Sequence, residues 1–78
     1  MKVEYQKEFY NLYYKECYII DEHEGNYLVY ATKCFKPSIV CNYLDADGAM
    51  LGQEFFDTLE DARECFEEKK ERKHGRIL

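Results

Sequence analysis

The hydrophobic spacing of this chain changes period once, near residue 57. In DTLEDARECFEEKKERK, residues 57–73, Leu59, Ala62 and Phe66 fall on one stripe at helical spacing, joined by Cys65. The earlier apolar runs are short, rich in Tyr, Val, Ile and Phe, and bounded by turn residues, which reads as strands. Strands followed by one helix give an α+β class: a small antiparallel sheet of three or four strands with one long C-terminal helix packed on one face.

Within the strand region, residues 13–20 (YYKECYII) and 27–33 (YLVYATK) flank DEHEGN, a polar turn ending in Gly25-Asn26, and are expected to form a hairpin. Pro37 cannot donate to a ladder and marks a break or an edge. Residues 39–45 (IVCNYLD) and 49–56 (AMLGQEFF) read as a third and fourth strand joined at Asp47-Gly48, a strong hairpin signal. Asp57 or Thr58 can cap the helix, each with a carboxylate three residues on, and Gly75 is placed to end it. Leu59, Ala62, Phe66, Val29, Val40, Leu44 and Phe55 are the expected core.

The first dozen residues fit two patterns. Tyr5, Phe9, Leu12 and Tyr13 make a helical stripe, while Val3, Tyr5 and Phe9 suit a strand face; an extra strand or extended segment is the preferred reading. Four strands span roughly 15 Å, and a helix about 10 Å wide covers one face at most. Tyrosines fall on both parities of the strands. The second face is therefore expected to be Tyr-rich and partly open, or else covered by the N-terminal segment.

A chain of 78 residues is one domain, 1–78, with residues 69–78 as a basic C-terminal tail. Its core is modest, worth about 3–5 kcal/mol, and a deep catalytic cleft is hard to build at this size. No apolar run is long enough to span a membrane. MKVEYQKEFY lacks the apolar stretch of a secretory signal, so a cytoplasmic location is expected, with Cys17, Cys34, Cys41 and Cys65 as free thiols.

The chemistry is sparse. DADG at 45–48 has Gly48 too early for a calcium loop, and a hairpin turn explains it. The cysteines are 7 or more positions apart, and His23 and His74 are far from each other, so no zinc pair forms. Ser38, the single serine, sits beside Pro37, and no phosphate-binding glycine loop occurs. No enzyme, metal or cofactor is expected.

Charge is the informative feature. Residues 1–68 carry 15 acids against 6 bases, and residues 69–78 reverse the sign with Lys69, Lys70, Arg72, Lys73 and Arg76 against Glu71, leaving −5 overall. Within residues 38–68, 9 acids face Arg63 alone. Such a body repels nucleic acid. On the helix, Glu60/Glu64, Glu64/Glu68, Asp57/Asp61 and Glu67/Glu71 are like charges four apart, each costing a few tenths of a kcal/mol (about 0.2–0.5). Two readings follow, a solvated helix face or an acidic surface that imitates a phosphate track and attracts a basic groove.

The segment NYLDADGAMLGQEFFDTLEDARECFEE resembles, in form and charge, the small acidic phage-encoded inhibitors that include many anti-CRISPR proteins. The resemblance implies a non-catalytic module that docks an acidic face onto a basic, nucleic-acid-handling protein. The residues expected to make contact are Asp45, Asp47, Asp57, Glu60, Asp61, Glu64, Glu67 and Glu68, with Tyr43 as an apolar anchor. The alternative is an assembly protein that homodimerises through a tyrosine face carrying Tyr18 and Tyr30.

Overall fold

The computed structural model describes residues 5–75, with side chains to Lys70. Among the described residues seven strands precede one helix: β1 (Lys7–Asn11), β2 (Lys15–His23), β3 (Asn26–Ala31), β4 (Ser38–Cys41), β5 (Tyr43–Leu44), β6 (Met50–Leu51), β7 (Glu54–Phe56) and α1 (Leu59–Gly75). The main sheet is antiparallel and five-stranded, in the order β1-β2-β3-β4-β7, while β5 and β6 pair separately.

The α+β class stands, but three or four strands was too few. The N-terminal segment takes its strand alternative as β1, pairing Phe9 with Cys17. The runs 39–45 and 49–56 each break in two, at Asn42 and at Gly52. Gly52 has φ +64, and a Cβ there would lie 2.5 Å from the Asn42 side chain. The long hairpin bends at this point, and its tip leaves the plane of the main sheet. That tip turns at Asp47-Gly48, as the sequence indicates: the Gly48 N–H donates to the Asp45 carbonyl at 3.0 Å.

The bend decides what covers the sheet. On one face Leu28, Val40 and Ile20 meet Ala62 and Phe66 of α1, with Leu59 and Cys65 at the margin. On the other, Cys17, Val29, Ala31, Ile39 and Cys41 are closed over by Met50 and Leu44 from the β5–β6 tip. The second face is thus closed chiefly by the hairpin tip rather than left open, with Tyr14, Tyr27 and Phe9 of β1 packed at its margin. Tyr18 and Tyr30, expected there, stand half-buried on the helix side instead. Of the expected core, Leu44 is half-buried and Phe55 is 36% exposed, because the hairpin break moves both to the margin.

α1 is capped by Thr58, whose Oγ1 accepts from the Asp61 N–H at 3.1 Å and whose carbonyl accepts from Ala62 at 3.2 Å. Glu60 and Asp61 occupy the first turn, where the macrodipole favours acids. Arg63 reaches Asp21 on β2 at 3.4 Å, tying the helix to the sheet. The helix runs to Gly75, the last described residue. No helix among the described residues is long and apolar enough to cross a membrane.

The four cysteines are unpaired. Burial pushes Cys17 and Cys41 up to about 11. A thiol whose folded pKa is raised keeps its proton in the folded state while the unfolded one ionises, and that ionisation draws the chain towards unfolding. Both states are protonated below about pH 8.5. Stability should therefore fall as pH climbs from there towards 11. Urea midpoints between pH 7 and 10.5 check this. The alkaline slope should be shallower in a Cys17→Ala/Cys41→Ala double variant, and equal slopes would refute it.

A candidate acidic groove between β7 and α1

Helical spacing divides the charged residues of α1 between two flanks. Towards β2, Arg63 pairs with Asp21 and with Glu67 at 3.7 Å, and Lys70 pairs with Glu67 at 3.3 Å. That flank is largely neutralised. Towards β7 the flank carries Asp61, Glu64, Cys65 and Glu68. Glu60 is exposed on the helix's solvent side. Among the described side chains, which end at Lys70, no cation lies within ion-pair distance of Glu60, Asp61, Glu64 or Glu68.

The acidic flank faces β7 across an open groove of about 590 Å³, lined by Glu54, Phe55, Phe56, Asp61, Glu64, Cys65 and Glu68. Glu54 pairs across the sheet with Val40 and so points to the helix side. Its Oε1 accepts from the Cys65 thiol at 3.2 Å and lies 4.0 Å from Lys69 Nζ. Burial, then the hydrogen bond to Glu54, pushes Cys65 up to about 11, which keeps it a protonated thiol near neutral pH rather than a nucleophile.

The structure scatters the sequence-derived contact residues. Asp61, Glu64 and Glu68 converge on the groove. Asp57 precedes the helix with Lys36 3.9 Å away, and Glu67 lies on the neutralised flank. Asp45, Asp47 and Tyr43 belong to the β5–β6 tip, which packs on the opposite face of the sheet from α1. Asp45 has a structural duty there: its Oδ1 accepts from the Asp47 and Ala49 N–H groups, each at 2.9 Å. One continuous acidic surface from the hairpin through the helix does not form.

Sequence reasoning left Glu54 out of the contact set. Its period-two relation to Phe56 was readable, but which side the helix would take was not. Ser38, the single serine, is buried on β4 without a hydrogen-bond partner among the described residues. Its hydroxyl is closed to substrates. Among the described residues no three His, Cys, Asp or Glu side chains are grouped to hold a metal ion.

No protein family, curated protein or solved structure matches this chain.

Proposed function

We propose that the protein is a non-catalytic binding module whose α1–β7 acidic flank docks onto a basic, nucleic-acid-handling protein and occupies its groove. It is what the resemblance in form and charge to small acidic phage-encoded inhibitors implies. The observation that carries this reading is the asymmetry of the helix. One flank is satisfied by Arg63 and Lys70, while the other presents Asp61, Glu64 and Glu68 beside Glu54 and the half-buried Phe56, with Lys69 near Glu54 alone. A merely solvated helix would intersperse bases among the acids of both flanks, whereas beside the groove Lys69 is the single cation among the described side chains. Carboxylates in a row beside aromatic anchors steer a cationic surface and then hold it.

The test is capture from lysate at rising salt by the unmodified protein and by an Asp61→Asn/Glu64→Gln/Glu68→Gln variant. The captured protein should bind nucleic acid, should be displaced by duplex DNA, and should be held about tenfold less well by the variant. Glu67→Gln should change little. Equal capture by the triple variant at every salt concentration would remove the acidic flank from the interaction.

A further inference from the structure

β7 is the outer strand of the five-stranded sheet and only 3 residues long. In an antiparallel sheet each residue sends its N–H and C=O to the same side, and successive residues alternate. The Ala31 N–H donates to the Pro37 carbonyl at 2.8 Å, which sets the phase of β4: Ile39 and Cys41 turn their main-chain groups to β3, and Ser38 and Val40 turn theirs to β7. The partners of Ser38 and Val40 are Phe56 and Glu54. Phe55, between them, is therefore left with its N–H and C=O directed out of the sheet.

Phe55 also lines the acidic groove, although its ring turns to the other face, where it meets Tyr14 edge-on at 5.6 Å. What it presents to the groove is main chain. The groove thus combines a donor and an acceptor unpaired among the described residues, the Phe56 ring, and the carboxylates of Glu54, Asp61, Glu64 and Glu68.

We propose that this edge takes an extended basic segment of the partner as an added strand, with Lys or Arg at alternate positions. The segment's central residue exchanges two main-chain hydrogen bonds with Phe55. Its neighbours lie opposite Glu54 and Phe56 and, because alternate residues share a face, point to the helix side. Basic side chains there meet Asp61, Glu64 and Glu68 and share Glu54 with Lys69. A basic helix laid in the same groove would satisfy the charges and leave the Phe55 groups unpaired. The inference rests on the acidic-flank reading and adds the conformation and spacing of what binds.

The test uses the full chain and three capped nonapeptides of equal charge. One alternates Lys and Val, a second places the same residues at helical spacing, and a third is the alternating peptide N-methylated on the edge that would face Phe55. Affinity is read by calorimetry at low salt. The alternating peptide should bind about tenfold more tightly than either of the others, the contribution expected of two main-chain hydrogen bonds. Phe55→Pro, which removes the outward N–H at an edge position that tolerates proline, should lose about threefold relative to Phe55→Ala, the share of one of the two hydrogen bonds. If Phe55→Pro does not fold, the N-methylated peptide still decides the matter on the unmodified protein.

Equal binding of the alternating and N-methylated peptides, or a preference for helical spacing, overturns strand addition. If the Asp61→Asn/Glu64→Gln/Glu68→Gln variant still loses binding in that case, the acidic flank survives it. Full binding by that variant, with sensitivity to N-methylation, instead keeps the edge and discards the charge reading. No binding of any peptide overturns the inference outright.

Discussion

Gly48→Ala is expected to cost about 3 kcal/mol or more and to leave the protein largely unfolded at 25 °C. Two independent terms act at this position. Gly48 has φ +85, where an L-residue loses roughly 1–2 kcal/mol. A Cβ would also overlap the carbonyl oxygen of Tyr10, a main-chain atom that cannot swing aside, and would press on Phe9. The only relief is to lift the β5–β6 tip away from β1. That motion breaks the hydrogen bond from Asn11 Nδ2 to the Gly48 carbonyl, 2.7 Å long and buried. Asn11 is held from its other side, because its Oδ1 accepts from the Tyr13 and Tyr14 N–H groups at 2.7 and 2.9 Å. Lifting the tip also uncovers Met50 and the Cys17–Val29–Ile39 face beneath it. Against a total stability of about 3–5 kcal/mol, little remains. Urea unfolding followed by circular dichroism measures the loss, and a midpoint within about 0.5 M of the unmodified protein's would show that the tip does not hold that face closed.

The same contact explains how much of the fold the sequence could convey. Helix position, a cap at Asp57 or Thr58 and the Asp47-Gly48 turn are local facts, set by spacing over a few residues, and they were legible. The register of Phe9 against Cys17 and the approach of Gly48 to Tyr10 join residues far apart in the chain, and no periodicity encodes them. Gly52 was visible as a strand glycine, yet only its positive φ and its contact with Asn42 reveal that the hairpin bends there. The bend splits the sequence-derived contact set, sending Asp45, Asp47 and Tyr43 to one side of the sheet and Asp61, Glu64 and Glu68 to the other. Composition announced an excess of acid. It could not say that Arg63 and Lys70 would neutralise one flank of α1, nor that Glu54 would join the other.

Phe66→Ala should be at least as damaging, by a different route. The ring is fully buried against Leu28, Val40 and Ile20, with Lys70 Nζ 5.6 Å from its centroid. Truncating a buried phenylalanine costs about 3–5 kcal/mol through lost transfer energy and the cavity left behind. This helix has little to offset that loss. At 17 residues it is marginal by itself, and its like-charged pairs Glu60/Glu64 and Glu64/Glu68 weaken it further. Ala62 and Phe66 are the fully buried side chains among the described residues of α1, so docking, not propensity, keeps it formed. Phe66→Leu, which keeps most of the volume, should retain the helix and lose roughly a third of what Phe66→Ala loses. The two variants differ in what they disrupt first: Gly48→Ala opens the face under the hairpin tip, whereas Phe66→Ala releases α1 and dissolves the acidic groove with it. Peptide binding to a Phe66→Ala protein should vanish together with its helical signal at 222 nm. A Phe66→Ala protein that keeps that signal, with a urea midpoint lowered by less than about 1 M, would mean that something other than this ring anchors the helix to the sheet.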